Sequence, residues 1–172
     1  NPFTPDAHFD FDLFKKHVGL AQRIMDDIID LESEKIDKIL EKIDSDPEAD
    51  EIKRAERELW QRIRRKTLMG RRTGVGITAE GDMLAALNLR YGTEEATDVA
   101  EEIQKTLALA AYSSSVELAR DRGAFEIYDA EREKNNPFIA RLREADPALY
   151  ERMTKFGRRN IACPSGSQFP HL

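Results

Sequence analysis

The chain has 172 residues, a formal net charge of -6 and a mean hydropathy of -0.61, with 40% hydrophobic and 35% charged residues. That length suits one domain, and the acidic balance excludes a non-specific grip on nucleic acid, which runs on accumulated Lys and Arg. No apolar run reaches the roughly 18 residues a bilayer crossing needs, and one cysteine, Cys163, excludes an internal disulfide or a multi-thiolate zinc site. No nucleic-acid or membrane partner is expected, and the expected setting is reducing and cytoplasmic.

The chain opens at Asn1, so the expectation is a trimmed leader or a piece of something longer, and Asn1-Pro2-Phe3-Thr4-Pro5-Asp6 reads as a mid-protein loop. Phe11, Phe14, Val18, Ala21, Met25 and Ile28 then recur in steps of three and four, the spacing of one helical stripe. The pattern resumes at Ile36, Ile39, Leu40 and Ile43 and breaks at Ser45-Asp46-Pro47. There Asp46 is expected to cap a second helix, with Pro47 in its first turn. Ile52, Ala55, Leu59 and Ile63 form the expected inner stripe of that helix, with Trp60 beside them. Its acidic start and basic end at Arg62 to Lys66 suit the macrodipole, and it stops at Gly70.

Thr73 to Thr78 has glycines around a β-branched pair and reads as an extended segment. A short helix is expected up to Tyr91-Gly92. Thr93 then caps the longest remaining helix, with Val99, Ile103, Leu107, Ala110 and Ala111 inward and an end at Gly123. The run AFEIYD, residues 124–129, is a second candidate strand. Asn136-Pro137 and Asp146-Pro147 each announce a short helix, the second stopping at Gly157. Residues from Arg158 onward lack periodicity and read as loop. The expected fold is mainly α, a multi-helix domain with one or two short extended segments. Its expected organisation is a single helical domain over 1–162 and a loop-like tail over 163–172.

Groups able to do chemistry are few: His8, His17, Cys163 and His171, besides the carboxylates. No spacing joins Cys163 to a histidine, so no catalytic residue is assigned. Di-iron bundles need Glu-x-x-His on two helices, and none occurs here. Asp26, Asp27 and Asp30 read as a solvated flank, and no metal is expected. The stretch GRRTGVGITAEGDML, residues 70–84, matches neither the phosphate-loop spacing nor the full dinucleotide fingerprint. Taken alone it is a helix stop feeding a strand, with Arg71 and Arg72 paired to carboxylates or helix ends. Its first letters return as GRRN at 157–160.

The run GRRTGVGITAEGDMLAALNLRYGTEEA resembles a segment of the ribonucleotide reductase catalytic subunit, most closely the adenosylcobalamin-dependent kind. Three further runs fit in the same order: NPFTPDAHFDFDLFKKHVGLAQRIMDDIIDLE, VELARDRGAFEIYDAEREKNNPF and FGRRNIA. The resemblance covers almost everything from Asn1 to Ala162. It implies a fragment of a larger enzyme that reduces ribonucleotides by thiyl-radical chemistry inside a ten-stranded α/β barrel, with adenosylcobalamin as the parent's cofactor. The family's radical and reducing cysteines lie in segments not present, and Cys163 matches none of them. The resemblance also implies that Ser165, Gly166 and Ser167, after Pro164, correspond to the loop that holds the substrate's phosphates, although the apolar run before that loop is shortened here. The isolated chain is then expected to be catalytically incomplete, and to associate with itself or with the missing remainder of the reductase. A non-catalytic helical interaction or structural module that keeps the fold is the alternative.

Overall fold

The computed structural model describes residues 1–164. The helices among them are α1 (Phe11–Ser45), α2 (Asp50–Gly70), α3 (Glu80–Ala86), α4 (Glu94–Arg122), α5 (Ala130–Glu133), α6 (Pro137–Ala145) and α7 (Pro147–Phe156). The mainly α expectation holds, and none of these helices is long and apolar enough to cross a membrane.

The two halves of the first periodic pattern are one helix of 35 residues, capped where Asp10 accepts from the Leu13 amide. α1 and α4 cross to make the core. Phe14, Val18 and Met25 meet Leu107, Ala111, Tyr112 and Val116, and Ile139, Leu142, Leu149 and Met153 of α6 and α7 close the far side of α4. α4 starts at Thr93, whose hydroxyl accepts from the Ala96 amide, and stops at Gly123 as the sequence implies.

Asp46 does not cap α2. Its carboxylate is drawn back to Lys42 at 2.8 Å and its amide closes α1, so α2 starts three residues beyond Pro47, from Ala49, without a side-chain cap. α2 packs mainly on α1, and its only buried residue is Gly70, at the end that meets Ile161. Most of the expected inner stripe is turned outward: Ile52 and Leu59 are 50% and 47% exposed and Ala55 is exposed too, while Ile63 and Trp60 are half-buried. Ion pairs set this rotation, because Arg57 reaches Asp44 and Arg64 grips Asp37 through Nε at 2.7 Å and Nη2 at 3.1 Å. The half-buried side of α2 therefore carries Arg57 and Arg64 alongside Trp60, Ile63 and Leu68.

Residues 71–76 alternate strictly, with Arg71, Thr73 and Val75 buried and Arg72, Gly74 and Gly76 exposed, which is the period of an extended chain with one covered face. Their partner is the run after Gly157, expected to be loop. Ile161 donates to the Gly70 carbonyl at 2.9 Å, Thr73 to Ala162 at 3.1 Å and Val75 to Cys163 at 2.9 Å, and Val75 forms a parallel bridge with Pro164. Residues 124–129, by contrast, are not a strand. The Phe125 amide donates to the Arg158 carbonyl and the Tyr128 amide turns back to Phe125, folding the two rings edge to face at 5.5 Å. Gly157 makes this possible: its φ is +72°, and a Cβ there would sit 2.7 Å from that of Ala124.

Candidate functional site: a buried polar knot beneath the two GRR turns

Helix α1 carries polar residues on its core spacing. Gln22 and Asp26 follow Val18 in steps of four, and both are fully buried. Asp26 is thus no solvated flank, as its neighbours Asp27 and Asp30 suggested. The signal was available, since a carboxylate in register with Val18 and Ile29 must enter the core.

Three guanidinium groups converge on Asp26. Arg71, the first arginine of GRRT, is 3% exposed, donates through Nε to Oδ1 at 2.9 Å and through Nη2 to the Asp26 carbonyl at 3.0 Å, and reaches Asp30 at 2.7 Å. Arg159, the second arginine of GRRN, and Arg122, at the end of α4, each approach Oδ2 at 3.4 Å. Arg122 also binds Asp27 at 2.6 Å. The carboxylate oxygens of Asp26, Asp27 and Asp30 lie within 4.8 Å of one another, and these arginines supply the balancing charge. Burial pushes the Asp26 carboxyl upward, but the Arg71 hydrogen bond and charge, with Asn160 and Arg159, outweigh it and hold the group below the usual carboxylate range.

Amide and hydroxyl groups knit this cluster to both extended runs. Asn160 donates to Asp26 Oδ1 at 2.9 Å and to the Arg71 carbonyl at 3.1 Å, while its own Oδ1 accepts from Gln22 and Ser115, each at 2.9 Å. Gln22 donates to the Thr73 hydroxyl at 3.0 Å, which donates on to the Ala162 carbonyl at 2.9 Å. The network thus joins α1, α4 and the beginnings of both extended runs.

The second arginine turn has its own brace. Arg158 is 3% exposed, lies over the Tyr112 and Phe125 rings at 5.3 and 5.6 Å, pairs with Glu133, and donates to the carbonyls of Asn160 and Ile161, each at 3.1 Å. Among the described residues, its Nη1 and the Glu133 Oε2 are buried without a hydrogen-bond partner. Burial moves the Glu133 carboxyl above its ordinary value despite Arg158. Arg71 is structural, as the sequence implies, while Arg72 is exposed. Arg158 is likewise committed to the protein interior, and the half-buried Arg159 is spent on Asp26 and on the carbonyls of Arg122 and Gly123.

Cys163 ends the run, completely buried, and burial pushes its thiol up to about 12 against the opposing Ser115 hydrogen bond and Arg158 charge. His8 and His17 are exposed and distant in sequence from it. Ser165, Gly166 and Ser167, like His171, lie outside the described residues.

Residues 2–164 match the family described as ribonucleotide reductase, barrel domain. The chain is 29% identical over 123 residues to the vitamin B12-dependent ribonucleoside-diphosphate reductase of Mycobacterium tuberculosis, covering 72% of this chain and 14% of that protein. It is 27% identical over 126 residues to the protein of the same name from Thermoplasma acidophilum, covering 73% and 13%. The chain thus spans about one-seventh of the length of these curated relatives. By its match over nearly all the described residues, the chain belongs to the ribonucleotide reductase barrel-domain family.

Proposed function

We propose that this chain is a wall segment of a reductase barrel that reduces ribonucleotides to deoxyribonucleotides, and that its task is to place the loop after Pro164 against the substrate's phosphates. One observation carries the reading. The two extended runs are parallel neighbours joined through intervening helices, the crossover that parallel strands require, and the Asp26 knot pins the start of both. A parallel pair backed by helices on one face is the repeating unit of an α/β barrel.

On this reading Ser165, Gly166 and Ser167 supply backbone N–H groups and hydroxyls to a nucleotide phosphate, and the chemistry belongs to the remainder of the enzyme. Adenosylcobalamin binding is assigned there too. A groove of about 750 Å³ between α1 and α4 is lined by Lys15, Lys16, Arg23, Glu102, Lys105 and Glu117 among others. Amide NMR during titration with a nucleoside diphosphate tests the loop assignment. Saturable shifts at Ser165 to Ser167, lost in Gly166→Val, are expected, and their absence from the intact reductase would overturn it.

The chain by itself is also read as a non-catalytic helical module that retains the family fold. The observation favouring this is Cys163, its only cysteine, sealed in the core with its thiol held protonated.

A further inference from the structure

The extended run that leads to Pro164 bends on its way there. The Thr73 and Val75 amides stand two residues apart, yet they donate to the consecutive carbonyls of Ala162 and Cys163. In a regular parallel pair those acceptors would also stand two apart, so the ladder skips at this point. The carbonyls of Asn160 and Ile161 accept from no backbone amide among the described residues. Arg158 takes both instead, Nε donating to Asn160 and Nη2 to Ile161, each at 3.1 Å. A carbonyl withdrawn from water without a donor is costly, so this guanidinium is what allows the bend.

A guanidinium so placed needs an anion. Glu133, the last residue of α5, supplies it: its side chain is 17% exposed, and its Oε1 accepts from Nη2. The Tyr112 and Phe125 rings hold the Arg158 side chain between them but carry no formal charge. Arg158 Nη1 and Glu133 Oε2 have no hydrogen-bond partner among the described residues, so the pair is closed by one contact and not by the two-pronged fork that arginine and carboxylate can form. The setting of the guanidinium thus turns on one carboxylate. From the bend to Pro164 there remain about 10 Å of extended chain at roughly 3.3 Å per residue, too little to absorb a change of direction.

We propose, on the reading that the loop after Pro164 holds the substrate's phosphates, that Glu133 is a positioning residue for that loop. It touches no substrate. Acting through Arg158, it fixes the bend at residues 160–161 and hence the direction in which the chain beyond Pro164 meets the nucleotide. The Asp26 knot pins the beginning of the run, and the Glu133–Arg158 pair aims its end.

Steady-state kinetics of the intact reductase with a ribonucleoside diphosphate is the test. Glu133→Gln keeps the shape and a neutral acceptor but removes the charge, and is expected to raise KM on the order of tenfold while kcat stays within about twofold. Arg158→Lys keeps the charge but loses the planar fork that serves two carbonyls and a carboxylate together, and is expected to raise KM at least as much. Because the two residues act through one contact, the double variant is expected to be no worse than Arg158→Lys alone. Gly166→Val separates this proposal from the reading beneath it. If Gly166→Val raises KM and Glu133→Gln does not, the loop holds the phosphates without Glu133 and the proposal alone is overturned. If neither raises KM, the loop assignment fails and the proposal with it. Losses that multiply in the double variant, or a fall in kcat and in the urea midpoint at constant KM, would make the pair a brace of the fold only and would equally overturn it.

Discussion

Asp26 keeps its charge in the core only because guanidinium and amide donors replace the water it has lost. Removing one member of such a buried cluster leaves the others uncompensated, so Asp26→Asn is expected to cost roughly 3–5 kcal/mol, read from the shift of the urea unfolding midpoint. Its pH dependence has a definite sign. A carboxyl held below its unfolded value stabilises the fold above that unfolded value, and the contribution is lost as pH falls through the folded one. Glu133 runs the other way: being raised, it favours the fold below the ordinary carboxylate value and loses that contribution as pH rises through its folded value. Urea midpoints measured from neutral to acid pH are therefore expected to fall less steeply for Asp26→Asn than for the wild type. A parallel pair of curves would refute the assignment. Cys163, with its thiol near 12 and no exposed surface, is expected to resist iodoacetamide at mildly alkaline pH and to react fully once urea unfolds the chain. The residues of this knot were only half legible in the sequence. Arg71 announced itself through the helix stop beside it. Asp26 was hidden by Asp27 and Asp30, because three acids in five residues look solvated unless each is placed on the helix separately.

Element ends were the most legible level, because capping is local chemistry. Thr93, Asn136 and Asp146 each accept from an amide two or three residues on, and the prolines after the last two sit in the first helical turn, whereas Asp46 turns back to Lys42 and Asp10 caps α1 unannounced. Thr93→Ala is expected to cost about 1 kcal/mol by thermal or urea unfolding, while Thr93→Asp is close to neutral. Gly157→Ala is a harsher change, since a positive φ and a 2.7 Å contact with Ala124 combine. Its expected cost is on the order of 3 kcal/mol, and the hydrogen-exchange protection of the Ile161 and Val75 amides falls with it. Two elements escaped the sequence reading for one reason: short extended runs are decided by their partner. Residues 124–129 had the letters of a strand but no open ladder beside them. Residues 158–164 had no periodicity, yet found the carbonyls and amides of residues 70–75 waiting. The rotation of α2 was illegible too, because Arg57 and Arg64 outbid Ile52 and Leu59 for the face of α1.

At the level of the whole molecule, α2 leans mainly on α1, so the α1–α2 arm is expected to exchange its amide hydrogens faster than the α1–α4 core. Hydrogen exchange with mass spectrometry reads this directly. Protection of residues 50–66 equal to that of residues 103–119 would mean that something else covers the arm. The chain incubated alone with adenosylcobalamin, a nucleoside di- or triphosphate and a dithiol is expected to form no deoxynucleotide. Its one thiol is sealed, and the chain corresponds to 14% of the length of its relative.

The knot also imposes an order on synthesis. Asp26 emerges from the ribosome before its partners, with Arg71 45 residues later, Arg122 96 and Asn160 134. Until the last of these is released, α1 carries an acidic, under-neutralised patch on the very face that must enter the core, and its docking on α4 stays provisional. Contacts so distant in sequence are slow to close, so the final folding step awaits the GRRN turn. A ribosome stalled before Arg159 should hold a helical but loosely packed nascent chain, and release beyond Pro164 should lock it in one concerted event.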